Sequence, residues 1–361
     1  MTNALSRRSF VALAAASAAG LAAAGAVGTA VAPQTAQAAG KKEPKIAASD
    51  DPGYVIDATG AQVAVPEKVE RVAITCNGGT THEAVIFGGA DKIVAEPSMQ
   101  KFPQLLRMFP ELNDVVNGGS FDDVNVEVIA AAEPDIALCG VSSDKGNAQI
   151  AEIGIPVYVM LIGWAGIDTI KQEFKNVAHL FGNDERGEEL VAYWDEKLAQ
   201  IAERVEKLPE EERAKTVYYL SGADITKANT GDWGRTWVDV VGATFAVPET
   251  DLNGDITPEM AIGWDPDAIV IQGGSDVNEL LNEPKVQDMK AIQAGEVHSC
   301  PIGGFWWDRP SPEAPLAFIW LAQTVHPGYF DDIDLEQETV DFFKRFYGYD
   351  LPHEEYEAFF G

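Results

Sequence analysis

From Tyr54 onward, short apolar runs rich in β-branched residues alternate with longer stretches whose apolar positions return every three or four residues. Short apolar runs bounded by turn residues read as strands, and the longer period reads as helix. On that basis Val69–Thr75, Ile93–Ala95, Ile136–Cys139 and Val157–Leu161 are the strands of the first half. Helices are expected over Thr81–Phe87, Phe102–Phe109, Val126–Ala132 and Lys145–Glu152. Asn125 stands as an N-cap with acidic Glu127 in the first turn, and Pro134 closes that helix. Strands alternating with helices predict an α/β fold whose parallel-type sheets are flanked by helices.

The same pattern occurs twice. Glu127, Pro134 and Asp135 precede the strand Ile136–Cys139, and Glu259, Pro266 and Asp267 precede Ala268–Gln272 at the same internal spacing. Arg71–Thr75 leads through a helix to Gly89-Ala90, as Lys215–Leu220 leads to Gly242-Ala243. Two matched blocks in the same order point to two similar lobes. Between them Ile167–Leu208 reads helical, with Leu190, Trp194, Leu198, Ile201, Val205 and Leu208 on one stripe and a break at Gly182-Asn183. The expected organisation is an N-terminal lobe over 54–165, a long rigid linker helix over 166–210, and a C-terminal lobe with closing helices over 211–361. Such a connector restricts the lobes to small rocking motions.

Residues 1–38 carry Arg7-Arg8, an Ala/Gly-rich apolar run to about Val31, and the small-x-small site Ala36-Gln37-Ala38. They read as a twin-arginine signal peptide cleaved after about Ala38, so the mature chain is exported to the periplasm or cell surface. The alternative is a membrane anchor: the run is long enough to span, although Ala and Gly bring little transfer energy. The polar stretch 39–53 is expected to be a disordered spacer. Acids outnumber bases 57 to 26, for a net charge of −31, which makes nucleic acid and anionic lipid poor partners. Three cysteines do not make a disulfide framework. Cys76, Cys139 and Cys300 each follow an apolar run and read as buried thiols, with a Cys76–Cys139 bridge left open.

In open α/β sheets the ligand meets the loops at the carboxyl ends of strands. Those loops hold Asn77, Thr80 and His82, then Met99, then Trp164 in the first lobe. In the second they hold Trp233 and Arg235, then Trp306, Trp307 and Arg309. Four of the eight tryptophans therefore lie in predicted loops, where burial does not by itself demand them. Aromatic walls with arginine suit a large, flat, partly apolar ligand that carries anionic oxygen. The alternative for each tryptophan is a plug packed on its own lobe. Replacing Trp306 and Trp307 by alanine is expected to weaken binding without unfolding the protein.

Several blocks recur in a familiar order: Arg71-Val72-Ala73-Ile74 with Glu83, the Asn125–Asp135 and Thr257–Asp267 blocks, Trp320-Leu321-Ala322 with His326-Pro327, and Phe342-Phe343-Lys344. Through them the chain resembles, from about Arg71 to Tyr347, the helix-linked periplasmic binding proteins that deliver ferric siderophores, haem and cobalamin to ABC permeases. The resemblance implies a monomeric solute-binding protein without a cofactor of its own, whose cleft holds a metal chelate such as a ferric siderophore, a corrinoid or haem. It implies that Glu127 and Glu259 grip arginines on the transmembrane permease subunits, which work with a cytoplasmic ATPase. His82 would be the local candidate for a haem ligand.

Two other readings stay open. Capture of a bare Zn or Mn ion needs converging ligands, whereas His82, His179, His298, His326 and His353 are scattered. A chelatase-like enzyme or hydrolase needs a nucleophile or a catalytic motif. His82-Glu83 is followed by Ile86 where a zinc-protease helix needs histidine, and no G-x-S-x-G, P-loop or G-x-G-x-x-G is present. A non-enzymatic protein is expected.

Overall fold

The structure is a computed structural model that describes residues 44–77, 79–249 and 255–361. The signal-peptide reading and residues 39–43 lie outside the described residues.

In the first half, β1 (Tyr54–Ile56) and β2 (Gln62–Ala64) pair as an antiparallel hairpin. There follow β3 (Val72–Ile74), β4 (Ile93–Glu96) and β5 (Val116–Asn117), a small hairpin of β6 (Gly119–Ser120) and β7 (Asp123–Val124), then β8 (Ile136–Gly140) and β9 (Val157–Met160). The main sheet is parallel, in the order β5-β4-β3-β8-β9. The second half supplies β10 (Thr216–Leu220), β11 (Thr244–Phe245), β12 (Ala268–Ile271) and β13 (Val297–Ser299), also parallel, in the order β11-β10-β12-β13. In each sheet the first strand (β3, β10) lies between the second (β4, β11) and the strand that follows the repeated Pro-Asp (β8, β12). The repeat in the sequence is thus a repeat of topology, and the protein is an α/β chain of two similar lobes.

The helices of the first half are α1 (Thr80–Ile86), α2 (Pro103–Met108), α3 (Val126–Ala131) and α4 (Asp144–Glu152). Then come α5 (Ile167–Leu180) and α6 (Asp184–Val205). The second half adds α7 (Glu210–Arg213), α8 (Asp232–Val240), α9 (Pro258–Trp264), α10 (Val277–Leu281) and α11 (Lys290–Ala294), followed by the closing helices α12 (Ala314–Val325), α13 (Leu335–Phe342) and α14 (His353–Glu357).

The recurring Pro-Asp has a mechanical reason. Asp135 Oδ2 accepts the backbone N–H groups of Glu70 and Arg71 at 2.8 and 2.9 Å, just before β3. Asp267 Oδ2 accepts that of Thr216 at 2.8 Å, where β10 begins. Each acid pins the first amides of the neighbouring strand. The preceding helices are capped alike, α3 by Asn125 and α9 by Thr257, each accepting a first-turn N–H.

Two expectations change. The single long linker helix is two helices that part at the expected break, where Gly182 takes the left-handed conformation (φ 68°) between α5 and α6. Helix α5 packs on α1 and β1, whereas α6 reaches α8 and α12. Trp194 of α6, fully buried, meets Phe174 of α5 on one side and Trp233 and Phe318 of the second half on the other. The part of the expected disordered spacer that is described, 44–53, is ordered against the lobe. Lys45 N–H bonds to Ala58 O, Ala47 bridges Ile56, and Asn176 Nδ2 donates to Ala47 O. Its backbone completes the edge beside β1, a pairing that does not depend on apolar side chains.

Within the N-terminal lobe, Glu83 of α1 and Glu173 of α5 are buried against each other, and Glu173 Oε2 accepts Leu161 N–H at 2.6 Å. Burial pushes the Glu173 carboxyl up to about 8, and burial with the facing Glu173 lifts Glu83 well above its usual value. The unfolded chain ionises both near 4.5, so the pair's contribution to stability is complete below that pH and lost as pH rises through about 8. Glu96 and Glu313, each raised by burial to about 7, act in the same direction. Glu173→Gln should therefore shrink, without abolishing, the fall in melting temperature between pH 5 and pH 8.5 (about these limits, set by the linkage). An unchanged slope would show that the pair is not protonated.

Candidate functional site

The loops that leave β3, β4 and β9 at their carboxyl ends face, across the gap between the lobes, the loop that follows β13. A cavity of about 290 Å³ lies between them. The N-terminal lobe lines it with Asn77, Lys101, Phe121, Ile162 and Gly163, and the C-terminal lobe with Phe305, Trp306, Arg309 and Pro310.

Two lining residues, Phe121 (φ 54°) and Ile162 (φ 51°), occupy the left-handed region, which is uncommon outside glycine and an outlier for a β-branched residue. Their surroundings hold them there. Phe121 N–H donates to Thr75 O at 2.7 Å, and Gly140 leaves room for Ile162, since a Cβ at Gly140 would stand 2.3 Å from Ile162 Cδ1. Strain sustained in this way gathers at functional sites.

The lobes meet through aromatic rings. Phe102 of the first lobe lies 5.0 Å from Phe305 and 4.9 Å from Trp306 of the second, centroid to centroid. Lys101 Nζ sits 4.5 Å over the Trp306 ring, and burial lowers the lysine's pKa. Arg309 is oriented from behind: its Nη2 donates to Gln272 Oε1 at 2.8 Å, and its Nε lies 3.4 Å from Asp308. Asp308 is buried and accepts the Tyr219 hydroxyl. The charged side chains lining the cavity are thus two cations and no acid, in a chain where acids outnumber bases 57 to 26. Asn77 adds an amide whose buried oxygen has no donor among the described residues.

Of the ligand-binding candidates read from the sequence, Asn77, Trp306 and Arg309 come together at this cavity. The others are placed elsewhere. Thr80 is buried at the start of α1 with its hydroxyl on Cys76 Sγ, and Met99 is in the core. His82 is buried, and its Nε2 meets Gly304 O at 2.7 Å across the lobes. Burial lowers the pKa of this imidazole to about 4, so it is neutral and donates that bond. Trp164 is half-buried in the turn after β9, beside α8. Trp233 packs on Trp194 and Phe318. Arg235 pairs with Glu249 at 3.4 Å and lies over the Phe245 ring. Trp307 is fully buried, with its indole N–H on Glu313.

Lys101, Phe121, Ile162 and Phe305 were not among the candidates. Lys101 adjoins Phe102 in a loop already marked as ligand-facing, but a single lysine in a polar loop carries no periodic signal. The three cysteines are buried thiols. The histidines other than His82 each have their own acid: His179 with Asp184, His298 with Glu296, His326 with Glu212 and His353 with Glu336. Among the described residues no three His, Cys, Asp or Glu side chains converge to hold a metal ion. Glu127 and Glu259 are exposed in the first turns of the equivalent helices α3 and α9, and neither forms an ion pair within the described residues.

Residues 74–302 match the family described as periplasmic binding protein. The molybdate-binding protein MolA of Haemophilus influenzae is 24% identical over 322 residues, 81% of this chain and 90% of that one. The iron(3+)-hydroxamate-binding protein FhuD of Bacillus subtilis is 23% identical over 300 residues, 77% of this chain and 89% of that one. The solved structure of MolA bound to molybdate shares the fold with a TM-score of 0.73, covering 83% of this chain and 99% of that one at 24% identity.

Proposed function

Because the chain belongs to the periplasmic binding protein family, we propose that it captures an anionic metal species in the inter-lobe cleft and hands it to an ABC permease. It is a solute-binding protein of the kind that serves ABC transporters in the periplasm. No helix among the described residues is long and apolar enough to cross a membrane. Export through the twin-arginine leader, action as a monomer, and binding without turnover complete the reading.

The observation that carries the ligand class is the pair Lys101 and Arg309 set among Phe121, Phe305 and Trp306, with no acid in the cavity lining and Asp308 behind Arg309. Two cations in an apolar, partly desolvated cleft favour an anion with an apolar or weakly hydrated rim. The relatives' names, molybdate-binding and iron(3+)-hydroxamate-binding, support a metal-containing one. A cavity of about 290 Å³ is at the small end of ligand pockets. A compact metal oxyanion suits the lobes as they stand. A ferric siderophore needs them to part somewhat, and a corrinoid or haem needs them to part further, which the α6 connection resists.

Tryptophan fluorescence of the purified protein, titrated with molybdate, ferric hydroxamate, cobalamin, haemin, Zn and Mn, tests this. Saturable one-site quenching by molybdate or ferric hydroxamate is expected, and a response to bare ions alone would overturn it. Arg309→Ala and Lys101→Ala should each weaken binding about 10- to 100-fold, the loss of one charge-assisted contact of roughly 1.5–3 kcal/mol. Wild-type affinity in both variants would move the ligand out of this cleft.

A further inference from the structure

The loop between β13 and α12 carries Phe305, Trp306 and Arg309 to the cavity and offers its Gly304 carbonyl to His82 of the other lobe. Apart from a bridge between Ile302 and Trp306, little strand pairing supports it. Its organiser is the side chain of Glu313, which is fully buried at the head of α12. The carboxylate accepts the Trp307 indole N–H at 2.9 Å and the Tyr347 hydroxyl at 2.7 Å, and the backbone amides of Gly304 and Phe305 also lower its pKa against the rise that burial imposes. Gly304, Phe305 and Trp307 flank Trp306 in the chain, and Tyr347 anchors the carboxylate to the segment after α13.

The loop sequence is shaped to admit this carboxylate. A Cβ at Gly303 would stand 2.3 Å from Glu313 Oε2, and one at Gly304 2.6 Å from Oε1. Glu313 forms no ion pair among the described residues, and with burial raising its pKa to about 7 its carboxyl group is held in place by hydrogen bonds. Burying a carboxylate costs more than an apolar side chain of similar volume would. What the acid gives in return is geometric: one group ties together both flanks of the residue that faces Lys101.

We propose that Glu313 is a positioning residue of the cleft, fixing the Gly303–Arg309 loop so that Trp306 and Arg309 face the ligand and Gly304 latches onto His82. The proposal rests on the reading of this cleft as the ligand site. Its test compares full-length wild type with Glu313→Gln, which keeps size and one acceptor oxygen but turns an amide N–H toward the donors. Hydrogen–deuterium exchange at 303–309 should quicken about tenfold while both sheets keep wild-type protection, the signature of local opening. Molybdate affinity should fall about tenfold, and by much less when Trp306 is already alanine, because residues acting through one another are not additive. Tyr347→Phe, which removes one of the two side-chain donors to Glu313, should act in the same direction and more weakly.

Unchanged exchange in the loop, or equal quickening throughout both sheets, would overturn the proposal. So would a loosened loop with wild-type molybdate affinity. A wild-type protein that ignores molybdate would count against that anion as ligand, and the exchange pattern would still decide whether Glu313 holds the loop.

Discussion

Replacing Trp307 by alanine should destabilise the protein by about 3–5 kcal/mol, the usual loss for truncating a buried large aromatic. The side chain is fully buried, edge-on to Phe359 and Phe360 at centroid distances of 6.2 and 6.3 Å. Removing it opens a cavity against these rings and also strips a donor from the buried Glu313 carboxylate, a penalty of roughly 1–3 kcal/mol more if no water replaces it. Trp306→Ala should behave differently. That ring is half-buried between Phe102 and Lys101, and its loss should reduce ligand affinity with a small change in stability. Urea unfolding of the two variants separates the cases. A wild-type midpoint for Trp307→Ala would show that its ring is not part of the core. The expectation drawn from sequence, that both tryptophans bind ligand and neither supports the fold, is thereby divided between them.

The reason for that division shows what the sequence could reveal. Strand and helix positions in the first half follow from periodicity because each element buries a face. The repeated Glu, Pro and Asp positions were legible because Asp135 and Asp267 perform the same backbone pinning in both lobes. Loop side chains lack such a rule. Ile302 bridges Trp306 across a tight reversal, so Trp306 faces the cleft while Trp307 turns into its own lobe. Shifting that reversal by one residue would exchange them, and nothing in composition fixes the register. Trp233 was legible in principle: with Trp237 it makes an i, i+4 pair on the buried face of α8. Reading Trp233 and Arg235 as loop residues concealed it. His82 reads as a ligand because it follows a strand, but all of α1 is buried and its imidazole is used up in joining the lobes.

Glu127→Ala combined with Glu259→Ala should leave ligand affinity intact and weaken association with the cognate permease about 10²- to 10⁴-fold. The estimate takes roughly 1.5–3 kcal/mol for each charge-assisted contact. Summing them is justified because the two residues stand on different lobes and share no partner. Loss of helix-terminus stabilisation, about 0.3–1 kcal/mol each, is too small to produce such an effect and would appear as a lower melting temperature. Binding of the ligand-loaded protein to permease in nanodiscs at two ionic strengths measures both. The wild type should lose affinity with salt more steeply than the double variant, since exposed charges are screened. Wild-type association by the double variant would place docking on another surface. The repeat supplies the reason for two contacts instead of one. Each acid heads the helix that precedes the strand paired with the first strand of its own sheet (β8 on β3, β12 on β10), so any rocking of the lobes around the cleft changes the spacing between them. A permease that grips both therefore reads the state of the cleft without touching the ligand.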